Sequence, residues 1–195
     1  MIELGPATQR VSELLAHVSD SQLGDPTPCP EATVGDLVDH IGGLTVGFTA
    51  SAEKRRDRTS GPPPGPNAAN LEPDWRNRIA RDLDTLAAAW RQPSAWEGMT
   101  SAGGVDLPGN VAGVVALDEL LVHGWDVAVA TGQSYDATDD EVAAAIQFVS
   151  SFDAPRDGSL FGPVVPVSGD APALDRLLGL TGRDPGWSRR SAATG

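Results

Sequence analysis

The sequence predicts an all-α protein: a bundle of four long helices, a fifth helix beside it, and a small irregular C-terminal extension. Three observations carry this reading. Apolar residues recur at spacings of three and four in five separate segments, the pattern of helices that each bury one face. The stretches between them are dense in proline and glycine, 16 and 22 of 195 residues, which interrupt helices rather than extend them. Apolar residues make up 40% of the chain and charged residues 21%, enough of the first for a core and too few of the second for a disordered chain. The length fits one domain over residues 1–187, with a bundle core at about 4–152, an extension at about 153–187, and a frayed tail at 188–195.

Each element has its own signal. The first helix is expected from Pro6 to His17, with Val11, Leu14 and Leu15 on one face. It stops before Asp25-Pro26-Thr27-Pro28-Cys29-Pro30, where three prolines force extended backbone. Thr33 reads as the N-cap of the second helix, Asp36 closes a short capping box, and Leu37, Val38, Ile41, Leu44 and Phe48 form the buried stripe. Thr59 to Asn70, with four prolines, reads as a linker or surface loop. The third helix is expected from Asp74 to Arg91, carrying Trp75, Ile79, Leu83, Leu86 and Trp90. Thr100 to Asn110 is glycine-rich and allows a loop or a short hairpin. The fourth helix spans about Val111 to Ala130 and ends at Gly132, a left-handed cap. The fifth runs from Thr138 to Phe152 behind a capping box of Thr138 and Glu141. Phe161 to Val167 allows one short strand, and Ala171 to Leu180 a last short helix.

Charge excludes several function classes. The formal net charge is -13, and basic residues cluster only at Lys54-Arg55-Arg56-Asp57-Arg58. A nucleic-acid or anionic-membrane partner needs a basic face, so neither is expected. One cysteine leaves no disulfide framework and no Cys-rich zinc module. The N-terminus shows no basic segment followed by an apolar run. The most apolar stretch, 111–130, holds Asp118, Glu119, His123 and Asp126, too many ionisable groups for a membrane span. A cytoplasmic protein is the expectation. No Gly-rich phosphate loop and no Gly-x-Ser-x-Gly elbow appears.

The chemistry concentrates on few residues. His40 lies between Leu37 and Leu44, on the face its helix must bury. Glu119 and His123 stand one turn apart in the most apolar helix. A carboxylate buried there is costly unless it is protonated, reaches solvent, or meets a cation. Two neutral imidazoles and one carboxylate can give a divalent cation three ligands and leave a coordination position open, and facing helices of bundles commonly build such sites. Asp36, one turn before His40, and Asp126, three residues after His123, are placed to accept the second imidazole N–H of a ligand. Asp36 has the helix-start role as its alternative. Cys29 reads by default as a small buried hydrophobe, and as a reactive thiol if a metal lies near. His17 reads as a solvated residue at a helix C-terminus.

These segments resemble a known family. Thr27-Pro28-Cys29-Pro30 followed by Thr33-Val34-Gly35-Asp36-Leu37-Val38-Asp39-His40 is similar to the start of the mycothiol-dependent maleylpyruvate isomerase N-terminal domain, in the DinB-like superfamily. Glu119-Leu120-Leu121-Val122-His123-Gly124-Trp125-Asp126 resembles the second signature of that group. Leu180-Thr181-Gly182-Arg183-Asp184-Pro185 resembles the ending of its short, single-domain actinobacterial members. The resemblance implies a DinB-like four-helix bundle, with His40, Glu119 and His123 as metal ligands. It implies zinc as the metal, with nickel or iron as alternatives, and mycothiol or another low-molecular-weight thiol as co-substrate. Where relatives read Cys-Pro-Gly-Trp-Thr, this chain has Cys29-Pro30-Glu31-Ala32-Thr33, without the aromatic. The expected activity is a metal-dependent thiol transferase or isomerase-like reaction, in which a thiolate attacks a small electrophile. A non-catalytic metal- or ligand-binding protein, a metal-dependent hydrolase and a metal-free scaffold are the alternatives.

Overall fold

A computed structural model describes residues 1–55, 65–151 and 161–189. Its helices are α1 (Gly5–Ala16), α2 (Val34–Ala52), α3 (Trp75–Trp90), α4 (Gly109–Thr131), α5 (Asp139–Ser151) and α6 (Ala173–Leu180). Two short strands, β1 (Met99–Ala102) and β2 (Val105–Pro108), pair antiparallel with Met99 opposite Pro108. The glycines of the hairpin turn, Gly103 and Gly104, have φ of 57° and 82°, the left-handed region that side chains resist. The expected glycine-rich loop is therefore a hairpin, and α4 begins two residues earlier than its apolar pattern suggests. Phe161–Val167 forms no strand. Within it, Val165 N–H donates to Gly179 O at 3.0 Å, which ties an extended segment to α6 without a ladder.

Helices α1 to α4 make the bundle. α2 packs against α3 and α4, and α1 packs against the same two, so α1 and α2 sit across one diagonal and α3 and α4 across the other. α5 covers the outside of α4, and α6 packs on α5. The core runs through Val11 and Leu15 of α1, Leu37 and Ile41 of α2, Ile79, Leu83 and Trp90 of α3, and Leu117 and Leu121 of α4, all 2% exposed or less. Burying each Leu or Ile contributes about 1.5–3 kcal/mol. α4 is apolar nearly all round because α1, α2, α5 and the hairpin surround it. Its glycines allow the closest approaches. A Cβ at Gly113 would stand 2.6 Å from the Trp96 ring, and Gly132 ends the helix at φ 76°.

The ends of α2 fix the segments around it. Thr33 Oγ1 accepts from Asp36 N–H at 3.2 Å, and Asp36 Oδ2 accepts from Thr33 N–H at 2.9 Å, the reciprocal cap expected from the sequence. The other Asp36 oxygen accepts from Ala68 N–H at 2.8 Å. Of the expected linker, residues 59–64 lie outside the described residues, as do Arg56, Asp57 and Arg58 of the basic cluster, Phe152 at the end of the fifth helix, 153–160 of the extension, and 190–195 of the tail. The remainder of the linker is anchored: a short 3-10 turn at Ala68–Asn70 sits on α2 through Asp36 and Asp39. Thr138 and Glu141 form the second expected cap, with Thr138 N–H donating to Glu141 Oε2 at 2.9 Å.

Burial opposes ionisation of Asp36, but its bonds from the Thr33 hydroxyl and from the Thr33 and Ala68 amides outweigh that and hold its carboxyl below the ordinary range. The stabilisation is therefore complete above the unfolded carboxyl pKa and disappears as pH falls through the lower folded one. Asp36→Ala is expected to cost about 1–2 kcal/mol at neutral pH. Denaturant midpoints of variant and wild type should converge in strongly acidic solution.

Candidate metal centre

Glu119, His123 and Asp126 occupy positions i, i+4 and i+7 of α4, one continuous stripe. α2 lies against that stripe and presents His40. Glu119 Oε2 lies 3.1 Å from His123 Nε2 and 3.7 Å from His40 Nε2. The two imidazoles stand edge to face, centroids 4.8 Å apart and planes at 88°. One ligand atom from each of the three residues falls within 4.8 Å of the others. Donors of a tetrahedral site with bonds of about 2.0–2.1 Å are separated by about 3.3 Å, so two imidazole nitrogens and a carboxylate oxygen at these distances suit a divalent cation in kind and in spacing. Burial pushes the Glu119 carboxyl up, but the His123 and His40 imidazoles bonded to it outweigh that and hold it low. The carboxylate keeps its charge because both imidazoles turn a ring nitrogen toward it.

Behind His123 lies a second layer. Its Nδ1 donates to Asp126 Oδ2 at 3.1 Å, which turns Nε2 toward Glu119. Asp126 is fully buried and receives the fork of Arg183, with Nη2 to Oδ2 at 3.0 Å and Nε to Oδ1 at 3.4 Å. Burial disfavours the Asp126 charge, yet His123 and Arg183 hold its pKa down. Cys29 completes this layer. Its Sγ lies 3.2 Å from Arg183 Nη2 and 3.4 Å from Asp126 Oδ2. Cys29 is thus half-buried in a polar cluster, not the buried hydrophobe expected by default. Cys29, His123 and Asp126 also bring ligand atoms within 4.8 Å, but the guanidinium already supplies a cation there. Among the described residues, no lysine or arginine is bonded to the His40–Glu119–His123 face.

Not every expected residue joins the site. Both Asp36 oxygens are taken by Thr33 and Ala68, so capping wins over the outer-layer role at His40. His17 sits exposed at the α1 C-terminus, its Nδ1 2.7 Å from Glu13 O, as read. Arg183 was missed, because it lies 57 residues beyond Asp126. The one local signal was Gly182 after α6. Gly182 has φ 85°, and Arg183 N–H donates to Leu178 O at 2.8 Å while Gly182 N–H donates to Gly179 O at 3.2 Å. That paired closure is a Schellman end, and it aims Arg183 back at α4. Asp118 was also missed as an outlier. It is buried, its Oδ1 has no hydrogen bond among the described residues, and burial, with the neighbouring Glu119 charge, pushes its carboxyl up to about 8.

A cavity of about 450 Å³ opens beside this face, with His40 and Glu119 in its wall. Leu44 and Phe48 of α2, Val115 of α4 and Ala102 of the hairpin give it apolar wall.

The buried pair of Asp126 and Arg183 gives a direct prediction. Arg183→Met leaves a fully buried carboxylate with one partner fewer and is expected to destabilise the fold by about 3–5 kcal/mol, read as a lowered urea midpoint. Arg183→Lys, which keeps the charge but not the fork, should fall between the two.

The family described as mycothiol maleylpyruvate isomerase N-terminal domain matches residues 4–128. Two uncharacterized proteins of Mycobacterium tuberculosis, from strains CDC 1551 / Oshkosh and ATCC 25618 / H37Rv, are each 32% identical over 187 residues, covering 91% of this chain and 93% of theirs. The crystal structure of the mycothiol-dependent maleylpyruvate isomerase shares the fold, with a TM-score of 0.58 at 18% identity over 74% of this chain and 65% of that one. A histidine-to-alanine mutant of that enzyme matches with a TM-score of 0.57. This chain thus spans about two thirds of the isomerase's length. The matched span takes in α2 and α4 up to Ala128 and stops short of Arg183, and by that match the chain belongs to the mycothiol maleylpyruvate isomerase N-terminal domain family.

Proposed function

We propose that this protein is a metal-dependent enzyme of thiol chemistry, an S-transferase or isomerase-like catalyst that uses mycothiol or a similar small thiol on a small electrophile. The observation that carries the reading is the convergence of His40, Glu119 and His123, from two helices, at the wall of an apolar cavity. His40 and His123 offer Nε2 and Glu119 an oxygen to a divalent cation, zinc by the chemistry of the donor set. Such a cation, when bound, stabilises a thiolate at neutral pH. Three protein ligands leave one position for it.

The rest is done by the chain. Glu119 supplies negative charge and stays a ligand, not a base. Asp126 holds the His123 proton on Nδ1, so that Nε2 keeps its lone pair for the site. Arg183 holds Asp126. Leu44, Phe48 and Val115 exclude water from the cavity and leave the sulfur poorly solvated, hence more nucleophilic.

Purified protein is expected to carry near-stoichiometric metal by elemental analysis, and His40→Ala to lose most of it. Asp126→Ala, which frees the His123 ring, should weaken metal affinity about 10–100-fold in a chelator competition. Thiol conjugation should vanish on stripping and return with zinc. Equal activity in the stripped and loaded protein would reject the mechanism.

A further inference from the structure

The cavity beside His40 carries information about its occupant. α2 contains four glycines, Gly35, Gly42, Gly43 and Gly47, and a glycine inside a helix destabilises it relative to alanine. Two have a reason within the fold. A Cβ at Gly35 would stand 2.7 Å from the Ala68 Cβ, and one at Gly42 would stand 3.2 Å from Ile79 Cδ1. Gly43 and Gly47 have none, since a Cβ at either would meet nothing within 4 Å. Both line the cavity, on the same face of α2 as His40. Their effect is to bare the helix backbone, three and seven residues beyond a donor to the metal site, so that a ligand can lie flat against it.

The charges of the cavity are one-sided. Asp39 and Glu119 line it, and among the described residues no lysine or arginine does. Asp39 is fixed at the rim, its Oδ2 accepting from Asn67 N–H and Asn70 Nδ2, each at 2.9 Å. A divalent cation at the donor atoms is matched in charge by Glu119 and one thiolate. Among the described residues a second anion then finds the Asp39 carboxylate, the Asn70 amide already bonded to it, and otherwise apolar side chains and glycine backbone, where an unpaired charge is strongly disfavoured.

Resting on the function proposed above, we infer that the co-substrate of the thiol is an uncharged, largely apolar electrophile, and that Gly43 and Gly47 set the size it can have. A dicarboxylate is the class this cavity rejects. The walls of Leu44, Phe48, Val115 and Ala102 supply the contact area, and the volume falls within the range of pockets for small organic ligands.

The test is a binding measurement on the full chain as isolated, without thiol. The probe is N-phenyl-1-naphthylamine, a neutral dye whose fluorescence rises in apolar pockets. The competitors are diethyl phthalate and phthalate, one skeleton with and without charge. The dye is expected to bind with a single-site isotherm, and diethyl phthalate to displace it at a concentration at least about tenfold below that of phthalate. Gly43→Leu and Gly47→Leu, which fill open space and raise helix propensity, should each weaken dye binding at least about tenfold without lowering the melting temperature. Metal content of the same samples reports on the donor atoms separately, so a failure there is distinguishable from a failure of the cavity reading. Absence of dye binding, equal or better displacement by phthalate, or unchanged binding in both leucine variants would overturn the inference.

Discussion

A carboxylate in the middle of an apolar helix is the constraint from which the rest of this structure follows. Glu119 sits on α4, a helix enclosed by neighbours, and burial alone would neutralise it. Two imidazoles meet it instead, one from its own helix and one from α2. That requirement fixes which face α2 turns inward, and with it the position of the cavity beside His40. The bundle contributes rigidity: leucines and isoleucines buried to within 2% of complete hold the two helices, so the donors are positioned before any ligand arrives.

The C-terminal extension belongs to the same argument. α6 is short, and its Schellman end places Arg183 under Asp126, which in turn orients His123. The chain of contacts runs from Arg183 through Asp126 and His123 to Glu119, every link 3.0–3.1 Å at its shortest. The family match ends at residue 128, yet the guanidinium that neutralises Asp126 comes from beyond it. In this chain the extension is therefore a structural part of the site. The same guanidinium also keeps the neighbouring Cys29, His123 and Asp126 group from being an equivalent cation site, since it occupies that group's negative charge.

What the sequence made legible was local. Helix stripes such as Leu37, Ile41 and Leu44 declare themselves by spacing, and the caps at Thr33 and Thr138 by residue type. Gly132 declares a left-handed end. The faces of their helices made His40, Glu119 and His123 candidates, and the family resemblance joined them into one ligand set. Competition was harder to read. Asp36 could serve the helix start, as its spacing from Thr33 favours, or His40; the Thr33 cap and the amide of Ala68, supplied by a segment 32 residues on, take both of its oxygens. Arg183 and Asp126 are joined only by tertiary packing, which no periodicity encodes. The segment at Phe161–Val167 has strand composition but bonds to Gly179 of α6 and forms no strand, and the hairpin at 99–108 forms because two left-handed glycines close it.

The account stands on three side chains sharing one cation, two imidazoles and one carboxylate, with the cysteine layer left out. X-ray absorption at the zinc edge of the zinc-loaded protein tests this most directly. The expected spectrum has only nitrogen and oxygen neighbours at about 2.0–2.1 Å, with the outer-shell pattern of two imidazoles. A sulfur shell at about 2.3 Å in thiol-free buffer would place the ion at Cys29 and contradict it.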